Sequence, residues 1–145
     1  MEIDLALLAD AATVDASGKL NILGVFDRIS VAKFPANYPH ISLVLRFSAS
    51  IDEGGSHKVE IVLEDPDGKE MIHLNGDIQV GPGPGMSGGQ IRVPQVLNIG
   101  RLVFPRAGRY AFQVVLDGEH HVSLPLMVLG GTPGMVGGGR PPAQA

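Results

Sequence analysis

Apolar and polar residues alternate with a period of two along nearly the whole of this 145-residue chain. Successive side chains of a β-strand point to opposite faces of a sheet, so this alternation predicts strands with one buried face. Residues that favour turns, chiefly Gly, Pro, Asp and Asn, separate the alternating segments. The predicted strands are residues 3–7, 20–26, 41–47, 58–64, 71–80, 95–104, 109–116 and 121–129.

The start of the seventh segment narrows the fold. Its residues are Gly108-Arg109-Tyr110-Ala111-Phe112, which place a Tyr two residues before a core position at the beginning of a late strand. This is the arrangement of a tyrosine corner, in which the phenol is buried and its hydroxyl bonds the backbone a few residues upstream. The pattern predicts an immunoglobulin-like β-sandwich of about eight antiparallel strands, with Tyr110, Gly108 and Phe112 in structural roles.

The odd or even position of the apolar residues along each strand, called parity here, predicts how neighbouring strands align. Leu63 is expected opposite Ile72, across an even-length loop centred on residues 66–69, because this pairing keeps both apolar sets on one face. The apolar phase changes at Gly100, and a glycine at a phase change predicts a β-bulge.

Parity also constrains the last hairpin. It requires an odd loop, with Leu116–Gly118 as the first choice and Asp117–Glu119 as the second. In the first choice Gly118 takes a positive φ and Phe112 faces Val122. His120 then points inward and His121 outward, so the two imidazoles cannot chelate one ion.

The length fits one sandwich domain over residues 1–129, followed by a Gly/Pro-rich tail over 130–145. The tail and the Gly-rich segment 81–89 bury too little apolar surface to offset their ordering entropy, so both are predicted to be flexible. The glycines of 81–89 lead into an extended segment rather than a helix, which argues against a phosphate-binding loop.

Composition restricts the function classes. A net charge of −4 argues against a nucleic-acid-binding protein, since phosphate contacts need a basic surface. The absence of cysteine excludes disulfides and cysteine-ligated metals. Three carboxylates interrupt residues 1–10, so no signal sequence is expected, and no stretch has the length of a membrane-spanning helix. These features predict a soluble protein, with the cytoplasm as the default location.

Two N-terminal segments and the strand near the end carry a family resemblance. The segments are Asp4-Leu5-Ala6-Leu7-Leu8-Ala9-Asp10 and Gly18-Lys19-Leu20-Asn21-Ile22-Leu23-Gly24-Val25-Phe26-Asp27-Arg28-Ile29, and the strand Leu43-Val44-Leu45-Arg46 follows them. Together with Phe34-Pro35 and the Tyr110 strand, they resemble a family of small, stand-alone bacterial β-sandwich proteins known only as a domain of unknown function. The resemblance implies a sandwich fold and a bacterial source, and no activity.

Most residues that could carry chemistry also have an ordinary structural explanation. No Ser lies in a nucleophile elbow, and the histidines lack ligand spacing, so neither an enzyme nor a transition-metal site is predicted. Calcium is the most credible ion, because hard cations bind loop oxygens. Such a site requires two acidic loops to share an end of the fold, and those carboxylates equally suit plain turns. The weak calcium candidates are Asp52, Glu53, Asp65, Asp67, Asp117 and Glu119.

The sequence therefore favours a non-enzymatic interaction or structural module without a cofactor. The alternatives are a calcium or small-ligand sensor that uses the end loops and, less favoured, an uncharacterised enzyme. A protein partner or a second copy is expected at a sheet edge, with strands 57–64 and 90–104 as candidates. The other candidate surface is an apolar patch with Val44, Val62 and Val115 on otherwise polar faces.

Overall fold

The computed structural model describes residues 1–81, 86–87 and 89–131 and confirms the predicted all-β sandwich. Ten strands lie in this part of the chain, because the short β3 and β7 join the eight that were predicted. A 3₁₀ turn over Ile51–Glu53 connects β4 to β5. The strands are β1 (Glu2–Val14), β2 (Leu20–Phe26), β3 (Arg28–Val31), β4 (Ala36–Ser50), β5 (Gly55–Glu64), β6 (Glu70–Val80), β7 (Met86–Ser87), β8 (Gln90–Phe104), β9 (Gly108–Leu116) and β10 (His120–Gly130).

The strands form two five-stranded sheets. The first sheet has the order β2-β1-β4-β8-β7, and the second has the order β3-β10-β9-β5-β6. All pairs are antiparallel except β3 with β10, which run parallel from Arg28 opposite Met127 to Val31 opposite Gly130. Because β2 and β3 follow each other in the chain but belong to different sheets, the chain crosses the sandwich at Asp27.

The core consists of the inward residues of both sheets. Phe47, Phe104, Tyr110 and Phe112 are its largest fully buried side chains, and Phe104 meets Tyr110 edge to face at 4.9 Å between ring centres. Aromatic pairs favour this geometry because the positive ring edge meets the negative ring face. The apolar residues of the alternating pattern therefore pack between the two sheets.

The tyrosine corner is present as predicted. Tyr110 is completely buried, and its hydroxyl donates a hydrogen bond of 2.7 Å to the carbonyl oxygen of Arg106, four residues upstream. The corner also depends on Gly108, whose φ is +149°. A Cβ atom at this position would lie 2.6 Å from Cγ of Pro66, so the β5–β6 loop packs directly against the Gly108 backbone.

Replacement of Tyr110 by Phe tests the hydroxyl alone. We expect a loss of about 1–2 kcal/mol in the free energy of unfolding, because the part-buried hydrogen bond to the Arg106 carbonyl is lost while the ring packing is kept. Urea denaturation of the two proteins measures this difference. Equal midpoints and equal slopes would show that the hydroxyl does not stabilise the corner.

The β5–β6 register is as predicted, with Leu63 opposite Ile72. The loop differs from the prediction, because a register shift between Leu63 and Glu64 pairs Glu64 with Glu70 and leaves a five-residue loop instead of an even one. In this loop Oδ1 of Asp65 accepts bonds from the backbone N–H groups of Asp67 and Lys69. The Asp65 carboxylate closes the turn, and the register shift at Glu64 accommodates the odd loop length.

The same turn closes the β1–β2 hairpin. Oδ1 of Asp15 accepts the N–H groups of Ser17 and Lys19, and the glycine of each turn donates its N–H to the carbonyl of the first Asp. Gly18 and Gly68 have φ values of +86° and +84°, which favour glycine. The two five-residue loops, Asp15–Lys19 and Asp65–Lys69, are therefore one turn design used twice.

The last hairpin has the odd loop that parity requires, but the first-choice loop is wrong. Leu116 pairs with His120 and Phe112 with Leu124, so the loop is Asp117–Glu119, the second choice. Asp117 and Gly118 both have positive φ, at 52° and 72°, and the N–H of Glu119 bonds the carbonyl of Leu116. Asp tolerates a positive φ, so two residues of the turn adopt this conformation instead of Gly118 alone.

The predicted bulge at Gly100 is also wrong. The β4–β8 register runs without a shift from Ala36 opposite Phe104 to Ser50 opposite Gln90. The buried residues of β8 nevertheless change from odd to even positions between Ile99 and Leu102, and Arg101 between them has a φ of +56°. On β4 the phase also changes between Ala36 and Ile41, so both strands change phase together and keep their alignment.

Two predictions concern residues that the structure leaves largely undescribed. Most of the Gly-rich segment 81–89 lies outside the described residues, which include only Gly81, the backbone of Met86 and Ser87, and Gly89. The tail is described only through Gly131. The flexibility of both segments therefore stays a prediction.

Candidate functional site

The six acidic candidates separate into two groups at opposite ends of β5. Asp52 and Glu53 lie in the 3₁₀ turn before β5, and Asp117 and Glu119 lie in the β9–β10 loop, which approaches the same end through His57. Asp65 and Asp67 lie in the loop after β5. In the described part of the chain, no group of three or more His, Cys, Asp or Glu side chains is placed to share a metal ion.

His57 joins the two acidic segments of the first end. Its Nε2 lies 2.7 Å from the carbonyl oxygen of Glu53, and its Nδ1 lies 2.6 Å from Oδ2 of Asp117. A carbonyl and a carboxylate both act as acceptors, so only the doubly protonated imidazolium makes both bonds. The Asp117 bond, followed by the Glu53 carbonyl, raises the pKa of His57, and the same bond lowers the pKa of Asp117.

Glu53, Asp52 and Asp117 of this end bond local partners, whereas no side-chain bond of Glu119 is present among the described contacts. Glu53 bonds the α-amino group of Met1 and accepts the backbone N–H of Ser50, and these contacts lower its pKa to about 2. Asp52 accepts the hydroxyl of Ser50. Oδ1 of Asp117 accepts the N–H of Lys58 at 2.9 Å. These bonds hold the 3₁₀ turn to the end of β4 and to the N-terminus, and they hold the β9–β10 loop to β5.

The His57–Asp117 pair makes the stability depend on pH. The folded pKa of His57 is raised above its unfolded value, so the contribution is complete below about pH 6.5 and is lost as pH rises through the folded pKa. We expect the free energy of unfolding to fall over that interval. Asp117→Asn should flatten this slope, since Asn tolerates the positive φ and still accepts the Lys58 N–H. Urea titrations of both proteins between pH 5 and 9 measure the slopes, and equal slopes would contradict this role of the pair.

The second acidic group has a structural explanation. Asp65 accepts two turn N–H groups, which lower its pKa, the Lys69 bond first. Asp67 lies 2.7 Å from a guanidinium nitrogen of Arg106, which also approaches Asp65 at 3.8 Å. These contacts connect the β5–β6 loop to the segment before β9 and so support the tyrosine corner.

A groove of about 730 Å³ lies on the outer face of the second sheet, next to the Asp117–Gly118 turn. Lys58 and Asp77 face each other across β5 and β6, and Val115 lies opposite Glu60. Glu60 also bonds Nε2 of His73 at 2.6 Å, while Nδ1 of that ring lies 3.1 Å from Glu70. Two acceptors again favour the imidazolium, and the Glu60 bond is the main cause that raises the pKa of His73. The groove therefore carries charges of both signs.

The remaining histidines do not converge on one another. His40 bonds the hydroxyl of Ser42, and His121 bonds the side chain of Gln113. His120 faces inward opposite Leu116, and His121 faces outward opposite Val115, as predicted.

The predicted apolar patch is divided between the two outer faces. Val62 and Val115 are half-buried on the second sheet, whereas Val44 is completely buried on the outer face of the first sheet, between Leu7 of β1 and Val96 of β8. Toward β2 this first face becomes exposed, with Val25 opposite Ala9 and Leu23 opposite Ala11. Leu23 and Val25 are 71% and 62% exposed, so the accessible apolar surface lies at the β2 edge.

The predicted edge strands are partly wrong. β5 is an inner strand, paired on both sides along residues 59–64, because β6 and β9 flank it. In the described part of the chain β8 is largely an edge, since β7 pairs only with Gln90 and Ile91. The edge best suited to further pairing is β2, which in the described residues has β1 as its one neighbour. The signal for it was present: residues 20–26 contain neither charge nor proline.

Comparison with known proteins identifies no function for the chain. No curated protein matches the chain. Among the described residues, no helix has the length and apolar character needed to cross a membrane. One family model matches residues 4–129, which include every strand except the ends of β1 and β10. The chain therefore belongs to a family of unknown function (DUF6941).

Proposed function

We propose that this protein is a non-enzymatic binding module that recognises a protein partner through the β2 edge. The observation that carries the proposal is the exposure of Leu23 and Val25 on a strand whose outer backbone groups are unpaired in the described residues. Such an edge accepts a further strand, whose main chain supplies hydrogen bonds while the neighbouring side chains supply specificity.

The other edges support this choice by contrast. Charges, prolines and short strand length protect sheet edges from unwanted pairing. β8 carries Arg92 and Pro94, β6 carries Glu70 and Asp77, and β3 has only four residues. The seven residues of β2 have none of these protections, so β2 is the edge best suited to pairing.

We further propose an immunoglobulin-like topology in a bacterial cytoplasmic protein. The strand orders β1-β4-β8-β7 and β10-β9-β5-β6 match the orders ABED and GFCC′ of immunoglobulin domains. The bacterial source follows the resemblance of the N-terminal segments, and the cytoplasmic location is the default for a chain without cysteine.

A site-specific photocrosslinker tests the binding function. p-Benzoylphenylalanine at position 23 should capture a protein in the cells that make this chain, and mass spectrometry identifies the product. The matched control places the same group at position 103, because Val103 is 48% exposed on another edge of the same sheet. Equal capture at both positions, or none at position 23, would contradict recognition through β2.

A small-ligand sensor is the second candidate, and the mixed-charge groove favours it. Lys58, Glu60, Asp77 and Asp117 line this cavity of about 730 Å³, which is large enough for a small polar molecule. A thermal-shift scan with metal ions and nucleotides is the test. A rise in melting temperature that Lys58→Ala abolishes would support ligand binding in the groove.

A further inference from the structure

We propose that the partner of the β2 edge is a second copy of this chain, paired antiparallel through β2 about a two-fold axis at Leu23. This inference rests on the proposed function, since it identifies the partner of the same edge. The pairing would join the two first sheets into one continuous sheet of two copies. The argument depends on parity and on charge.

Parity restricts the possible alignments. Leu23 and Val25 face outward, whereas Leu20 and Phe26 lie on the half-buried inner phase. In an antiparallel pair, directly opposed residues share a face. A two-fold axis must therefore pass through a residue, since an axis between two residues would set outward side chains against inward ones.

Charge selects one of the remaining alignments. With the axis at Leu23, Lys19 of one copy lies opposite Asp27 of the other, and this pair forms twice. An axis at Asn21 would instead place Asp27 opposite Asp15, and axes at Ile22 or Gly24 would place it opposite Ser17 or Asn21. Only the axis at Leu23 gives complementary charges at both ends of β2.

The side chains are free to make these contacts. No hydrogen bond of the Lys19 side chain is present among the described contacts, and the Asp27 side chain makes only a 3.3 Å contact with its exposed neighbour Arg28. The carbonyl of Asp27 accepts the N–H of Met127, which leaves its carboxylate available. The same alignment brings the two Leu23 side chains together and places Val25 opposite Asn21 of the other copy. The two most exposed large apolar side chains of the described residues, Leu23 and Val25, then each gain a cross-strand neighbour.

An interface of one strand pair is small, so the dimer should be weak and concentration-dependent. Sedimentation equilibrium of the full chain from micromolar to millimolar concentration, at low salt, measures it. Leu23→Lys should abolish the dimer by placing two ammonium groups at the axis. Lys19→Glu and Asp27→Lys should each weaken it about tenfold, and the double variant should restore it, because opposed charges then attract again.

Val103→Lys is the matched control, and circular dichroism verifies that each variant folds. A dimer that Leu23→Lys abolishes, that the double variant restores and that Val103→Lys leaves unchanged supports the proposal. A strict monomer at millimolar concentration, a dimer that survives Leu23→Lys, or a double variant without restoration would overturn it. If the purified chain is monomeric while position 23 still captures a different protein, self-pairing fails and the proposed function stands.

Discussion

Replacement of Gly108 by Ala is expected to lower the free energy of unfolding by roughly 2–4 kcal/mol. Two costs combine at this position. The φ of +149° is rarely adopted by residues with a side chain, and the added Cβ would lie 2.6 Å from Cγ of Pro66. The Pro66 loop or the start of β9 must move, and both positions support the tyrosine corner. Thermal unfolding followed by circular dichroism measures the loss.

Gly118→Ala is the matched control for Gly108. Gly118 also has a positive φ, at 72°, but a Cβ there would meet nothing within 4 Å. This variant should therefore show backbone strain alone, about 1–2 kcal/mol. If both variants lost the same free energy of unfolding, the contact with Pro66 would not add to the cost of replacing Gly108.

Replacement of Phe47 by Ala is expected to lower the free energy of unfolding by about 3–5 kcal/mol. Phe47 is completely buried and lines a partly open pocket of about 180 Å³ together with Leu45, Val59 and Ile61. The polar residues Asn75, Asp77 and Gln95 also line this pocket. Truncation would enlarge this space, and the paired strands around it cannot easily collapse to fill it. Urea denaturation at constant pH gives the loss.

The enlarged cavity offers a second measurement on the same variant. The space that the buried phenyl ring leaves would be apolar, and an apolar space of this size binds small apolar molecules. A ligand that binds the folded state raises its stability. Benzene should therefore raise the melting temperature of Phe47→Ala more than that of the parent protein. Val103→Ala, which truncates an exposed side chain, should change stability by at most about 0.5 kcal/mol and show no extra response to benzene. An equal response of all three proteins would contradict the enlarged cavity.

Local pattern was sufficient to predict most of the fold. The period of two located the eight main strands, and parity correctly aligned Leu63 with Ile72. Parity limited the last hairpin to odd loops but did not choose between two of them, since that choice depended on the positive φ of Asp117. At Gly100 the pattern located the phase change but gave the wrong mechanism, because one strand alone does not reveal that its partner changes phase at the same level.

The candidate site was harder to predict because its contacts connect distant residues. His57 and Asp117 are 60 positions apart, and no spacing rule links them. The acidic loops were recognised individually, but only the fold shows that Asp52 and Asp117 share an end while Asp65 lies at the other. The β2 edge also depended on topology, since the alternation of residues 20–26 identifies a strand without showing whether one neighbour or two flank it.

The long β4–β8 ladder has a consequence for the folding pathway. Its pairs join residues that lie between 40 and 68 positions apart, from Ser50 with Gln90 to Ala36 with Phe104. The β5–β6 hairpin lies within that interval and pairs Gly55 with Val80, so once it forms only residues 51–54 and 81–89 separate the first ladder pair. Loop-closure entropy favours this order of events, with the hairpin first and the ladder closing outward from Ser50. The Asp65 turn, far from β4 and β8, then helps to set the rate at which the first sheet assembles.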